Sequence, residues 1–163
     1  MKKNNNQILE SCPLCDGAVK LSKSDWVRST KPLVTVKSFT SYTCEDCGER
    51  FLTPELGKKL DQETNEALRR AKNLLTSKEI TDLTKKIFNL TKLPESTIAI
   101  GLGVGRQELF RWKTGERIQS KIADAFMRFV AEDTEQFSKY LLSAVGEPKK
   151  RGPKKKKAAD RRS

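Results

Sequence analysis

Cys12-Pro13-Leu14-Cys15 returns, after residues 16–43, as Cys44-Glu45-Asp46-Cys47, and these are the only cysteines in a 163-residue chain that has no histidine. A Cys-x-x-Cys turn is tight enough to aim two thiolates at one point, and a tetrahedral Zn2+ asks for four such soft ligands. Two knuckles at this separation have the spacing of a zinc ribbon, with Gly17 and Gly48 just past them to let the chain turn sharply. Two disulfides would use the same four residues, but the spacing is that of metal sites and no secretory pattern opens the chain. Met1-Lys2-Lys3 begins like a signal segment, yet no apolar stretch follows it. A redox Cys-x-x-Cys needs one pair beside a βαβ pattern, which is absent. Rubredoxin-type iron takes the same four thiolates. One structural Zn2+ on Cys12, Cys15, Cys44 and Cys47 is the expectation, because the rest of the chain reads as a regulator.

Outward from the knuckles, residues 34–43 are rich in β-branched and aromatic side chains and predict a strand running into the second knuckle. Residues 18–23 are its expected partner, with Trp26 and Arg28 in a long loop between them. Thr53 as N-cap and Pro54 at the first helical position open a connecting helix over residues 54–75. Leu56, Leu60, Ala67, Ala71 and Leu75 recur along it at helical spacing.

Residues 76–146 read as a series of short helices. Thr76-Ser77-Lys78-Glu79 is a capping box, followed by an inward stripe of Ile80, Leu83, Ile87 and Leu90. Pro94 starts a second helix with Ile98, Ala99 and Leu102. Gly103-Val104-Gly105 makes a turn, and a third helix runs from Arg106 to Lys113 before Gly115 stops it. Ser120 caps a fourth, with Ile122, Ala125, Phe126, Phe129 and Val130 expected inward, and Asp133 caps a fifth through Phe137 and Leu141. The expected architecture is a small α+β zinc-ribbon domain over 1–53, the connecting helix over 54–75, an all-α helix-turn-helix domain over 76–146 and a disordered basic tail over 147–163.

Charge and composition agree with two small units. Hydrophobic residues make up 36% of the chain, thin for one large core, so a metal-held module beside a small helical one fits better. The net charge of +12 is concentrated in residues 148–163, which carry nine Lys/Arg against one Asp. Seven of those cations fall within residues 149–157, a run suited to phosphate contacts. No stretch approaches the length that spans a membrane. A cytoplasmic, nucleoid-associated protein is expected.

A helix, a glycine-containing turn and a short helix have the geometry of a DNA-reading helix-turn-helix. Residues 93–104 are similar to the second helix and turn of Cro/repressor-type domains, with Ala99 at the closest helix packing, Gly103 in the turn and Val104 and Leu109 in the core. Leu109 and Trp112, three apart, face inward together, which turns Arg106, Gln107 and Arg111 outward. Gln can pair with adenine N6/N7 and Arg with guanine O6/N7 in the major groove. Lys113, Arg117 and Lys121 lie just beyond and suit phosphates. A five-helix bundle with no DNA role is the plain alternative. No histidine is present to act as a base near neutrality, and four thiolates close a metal shell to water, so an enzyme is not expected.

The run Tyr42-Thr43-Cys44-Glu45-Asp46-Cys47-Gly48-Glu49, the opening Leu75-Thr76-Ser77-Lys78-Glu79-Ile80 and residues 110–121, Phe-Arg-Trp-Lys-Thr-Gly-Glu-Arg-Ile-Gln-Ser-Lys, together resemble the MqsA (YgiT-type) antitoxins of bacterial type II toxin–antitoxin systems. The resemblance covers roughly residues 12–142. It implies a zinc domain that can hold a toxin protein, often an RNA-cleaving one, and a C-terminal domain that forms a homodimer and represses its own operon. It also implies base reading by an amide and an arginine four residues later, which map onto Gln107 and Arg111. Gly101 departs from it, standing where that family has a bulky apolar residue. Other proteins with the same two modules are a stand-alone regulator of a phage or mobile element and the archaeal multiprotein-bridging factors, which are coactivators. The bridging factors lack the Trp-Lys-x-Gly-Glu-Arg-Ile-Gln-Ser run found here.

Overall fold

A computed structural model describes residues 11–145; residues 1–10 and 146–163, which include the tail expected to be disordered over 147–163, lie outside the described residues. Strands β1 (Val19–Arg28), β2 (Val34–Cys44) and β3 (Arg50–Phe51) form one antiparallel sheet in the order β1-β2-β3. Six helices follow: α1 (Pro54–Ala71), α2 (Ser77–Thr91), α3 (Glu95–Gly101), α4 (Arg106–Lys113), α5 (Lys121–Glu132) and α6 (Thr134–Val145). A β unit followed by a helical unit is the order expected from the sequence.

β1 is longer than the expected residues 18–23 and takes in Trp26 and Arg28, so the connection shrinks to residues 29–33. A bulge accounts for the difference. The β1–β2 register shifts between Ser24 and Trp26, where Ser38 takes a left-handed φ of 51° and donates its N–H to Asp25 Oδ1 at 2.9 Å. The shift lets Val34 and Val36 on one side of it, and Phe39 and Ser41 on the other, all face the core. An unbroken alternation would turn one pair to solvent. Trp26 then packs edge-on against Phe39, with ring centroids 6.3 Å apart, and the Arg50 guanidinium lies 4.4 Å above its ring.

Thr53 caps α1 by accepting from the Leu56 N–H. The inward stripe of α1 is Leu60, Thr64 and Leu68 with Arg69, whereas Ala71 is exposed. The helix ends at Ala71, four residues before the expected limit, because Asn73 adopts a left-handed φ of 53°. Leu74 and Leu75 are buried in the turn that follows. The first half of α1 belongs to the sheet: Leu60 packs on Val36 and Phe39, and Asp61 accepts from Arg28 at 2.8 Å.

The second half of α1 belongs to the helical unit. Gln62 Nε2 donates to the Thr114 carbonyl at 2.9 Å and Asn65 Nδ2 to that of Gly115 at 2.8 Å. Arg69 is fully buried and donates to the carbonyls of Trp112 (2.8 Å) and Arg117 (2.6 Å), to Gln119 Oε1 (3.0 Å), and to Glu66 and Ser77. The Trp112 and Thr114 carbonyls belong to the C-terminal end of α4, and those of Gly115 and Arg117 to the loop that follows it. α1 is therefore a strut with one end on the sheet and the other on the end of α4.

In the helical unit Ile80, Ile87, Ile98, Leu109, Met127 and Val130 form the centre of the core. Both halves of the Thr76/Glu79 capping box are present. Leu90 is exposed rather than inward; the 3.6-residue period brings Thr91 onto the stripe, where its hydroxyl donates to the Ile87 carbonyl. α5 departs further from expectation. Ala123, Asp124, Met127 and Val130 face the core, while Ile122, Ala125, Phe126 and Phe129 face outward, Ile122 at 85% and Phe129 at 70% exposed. Asp124 sets this rotation: its carboxylate accepts from the Leu75 N–H at 2.6 Å, from Gln119 at 2.9 Å and from Arg128 at 2.8 Å. At Gly101 a Cβ would lie 2.6 Å from Leu141 Cδ1, so glycine there allows α6 to close on α3.

Candidate functional site

The two knuckles fold as near copies of each other. Cys12 N–H donates to the Gly17 carbonyl and Cys44 N–H to that of Glu49, both at 2.9 Å, while the Asp16 and Gly48 N–H groups return to the Cys12 and Cys44 carbonyls. The left-handed corner falls on Gly48 (φ 73°) in the second knuckle but on Asp16 (φ 58°) in the first. Gly17 serves a different purpose from the expected one. A Cβ there would overlap the Asp46 carboxylate, with Cγ at 2.8 Å, so the glycine lets the knuckles approach.

That approach gathers all four sulfurs within 4.8 Å of one another, Cys12 to Cys47 at 3.7 Å and Cys15 to Cys44 at 3.5 Å. Tetrahedral Zn–S bonds of about 2.3 Å put sulfurs about 3.8 Å apart, so the cage has the size of one tetrahedral ion. All four are free thiols, Cys12 and Cys44 buried, Cys15 and Cys47 facing out. Backbone N–H groups of Leu14 and Cys47 point at the Cys12 and Cys44 sulfurs at 3.4 and 3.5 Å. The Cys47 N–H, above all, brings Cys44 down to about 7. At Cys15 the Gly17 N–H lowers the pKa, but the Cys12, Cys44 and Cys47 thiols outweigh it and push the group up to about 12. Four thiolates this close repel one another, and a divalent cation at their centre removes that conflict. The residues fit one metal ion.

The second cluster lies on α3 and α4, joined by a turn at residues 102–105. Ile98, Ala99, Leu102, Leu109 and Trp112 are buried and fix the two helices against α2. Arg106 and Gln107 stand exposed in the first turn of α4, and Lys121 stands exposed at the start of α5. Arg111 is partly exposed one turn after Gln107. Lys113, expected free for phosphate, turns to Glu95 at the start of α3, 3.1 Å away, and its side chain keeps only 21% exposure. Arg117 pairs with Glu108 at 3.2 Å, and Arg111 lies 3.9 Å from the same carboxylate.

Glu108, Glu95 and Arg69 are absent from the sequence reading. Glu108 was within reach of it, being three residues before Arg111 and four before Trp112 on one helical face. Arg69, beside Arg70 in a charged helix, carries no sequence signal of burial. Among the described residues no helix is long and apolar enough to cross a membrane. The chain matches no protein-family model and no curated protein.

Proposed function

We propose that this chain is a sequence-specific, double-stranded-DNA-binding transcriptional repressor, built on a structural Zn2+ site and a helix-turn-helix. One observation carries the reading: Gln107 and Arg111 stand one turn apart on the open side of α4, whose other side is sealed by Leu109 and Trp112. Held in a major groove, Gln107 offers a bidentate pair to adenine and Arg111 one to guanine. Arg106 and Lys121, both exposed, supply phosphate contacts around them, and Lys113 and Arg117 do so on leaving Glu95 and Glu108. The Zn2+ would sit on Cys12, Cys15, Cys44 and Cys47, closed to water, and hold the ribbon without chemistry of its own.

The protein acts as a homodimer on a two-fold operator, a reading supported by the outward apolar face of α5 and α6, where Phe126, Phe129, Phe137 and Tyr140 line a groove and Ile122 is exposed on the same helix as Phe129. Its cellular role is that of an antitoxin that represses its own operon in the cytoplasm, on the nucleoid, and holds a toxin protein through the zinc domain. This part rests on the likeness of the two knuckles and of residues 110–121 to the MqsA-type antitoxins. Selection of duplexes from a random pool tests the DNA reading: a recovered two-fold site with half-sites about one helical turn apart supports it, and recovery of no preferred sequence defeats it. Co-purification with the product of an adjacent small gene tests the antitoxin role; a gene standing alone favours an independent regulator.

A further inference from the structure

We propose that Glu108 is the residue through which the reading face discriminates between sequences, acting as a positioning residue for Arg111 and Arg117. This inference rests on the DNA-reading role given above to α4.

Two donors bond to this one carboxylate, and the charge of a third side chain lies near it. Oε1 accepts the indole N–H of Trp112 at 3.0 Å, and Trp112 is itself only 4% exposed, so Glu108 is anchored from the core side. Oε2 lies 3.2 Å from Arg117 Nη1 and 3.9 Å from Arg111 Nη1. A carboxylate at the centre of a DNA-reading face is costly if affinity is the only aim, because it repels every phosphate equally. Its benefit is in restraint. A guanidinium on a flexible stem reaches for the nearest phosphate, which any sequence provides. Arg111, drawn toward Glu108 by an ion pair at 3.9 Å, is biased against swinging out to the backbone. Arg117, paired with Glu108, must leave that partner to contact backbone. Binding to random DNA then meets the repulsion and the broken pair without recompense, while a guanine at the right step repays both through two hydrogen bonds. Holding a reading side chain by a second residue is a general device for selective sites.

The test compares wild-type protein, E108Q and R111A, binding the duplex selected above and a scrambled duplex at several salt concentrations. E108Q keeps a carbonyl oxygen for the Trp112 N–H, and unchanged helical circular dichroism and Trp emission confirm its fold. In E108Q, affinity for scrambled DNA rises, operator affinity does not keep pace, and the ratio of the two falls about three- to tenfold. A wild-type ratio in E108Q, or an equal gain on both duplexes, overturns the proposal while leaving the DNA reading intact. If R111A binds both duplexes as wild type does, the reading role of α4 fails and this inference fails with it.

Discussion

At the scale of single residues, the helical unit is joined by a few buried polar groups rather than by apolar packing alone. Asp124 is the clearest case. Burial raises its pKa, but the bonds from Arg128, the Leu75 N–H and Gln119 outweigh that and hold it below the ordinary aspartate range. Glu79 is held low as well, chiefly by the Thr76 N–H of the capping box. A carboxylate whose folded pKa is depressed contributes stability that is complete above its unfolded pKa and lost as pH falls through the folded value. Unfolding by urea, followed at 222 nm, should therefore show a constant midpoint from neutrality down to about pH 5 and a decline below about pH 4. Asp124→Asn should make that decline shallower. Asp124→Ala leaves the Leu75 N–H buried without an acceptor and Gln119 Nε2 with only the Leu75 carbonyl, and should cost about 2–3 kcal/mol at pH 7. A loss under about 0.5 kcal/mol would mean that water replaces the carboxylate freely. On the proposed reading face, Arg111→Ala and Gln107→Ala should each cost about 1–3 kcal/mol at the operator and relax preference at one base step, measured by competition binding.

At the scale of elements, the parts legible in the sequence were those with local signals. The caps Thr53, Thr76 and Ser120 each accept the N–H three residues on, and Asp133 likewise accepts from Gln136. The turn at residues 102–105 and the inward pair Leu109 and Trp112 also stand where spacing put them. What could not be read depends on distant partners. The bulge at Ser38 needs Asp25 from another strand, and α5 is rotated by bonds from Asp124 to Leu75 and Gln119. Hydrophobicity alone places Phe126 and Phe129 inside beside Val130; the hydrogen bonds keep Val130 there but put Met127 in the place of the two phenylalanines. The apolar side left outside is a testable surface. Phe129→Glu alters a residue 70% exposed in the single subunit, so the stability of the subunit's own fold, measured at concentrations where wild type is also monomeric, should change by less than about 0.5 kcal/mol. Sedimentation should nonetheless move from dimer to monomer, and operator affinity should fall. A variant that remains dimeric would place the interface elsewhere.

At the scale of the whole molecule, α1 decides how far the loss of metal is felt. The sheet has only a small apolar cluster, Val36 and Phe39 with Leu60, and its far end is closed by the four cysteines. So little buried surface cannot offset the entropy of ordering two long strands, and a metal ion held by the four cysteines would be part of folding. The helical unit has its own larger core and does not share those residues. α1 belongs to both. Its first half loses Val36, Phe39 and the Arg28 pair when the sheet melts, whereas Asn65 and Arg69 stay bonded to carbonyls in residues 112–117. Chelation, or Cys44→Ser, should therefore divide the helix rather than release it. Hydrogen exchange should become fast across residues 12–53 and the first half of α1, and remain slow from Thr64 through α2–α6. DNA affinity should drop only modestly, because the clamp on the end of α4 survives. Two results would contradict this: a sheet that keeps its protection without metal, or a helical unit that loses its protection together with the sheet. The second would mean that Arg69 transmits the state of the metal site to α4, making the strut a coupling element and the operator affinity metal-dependent.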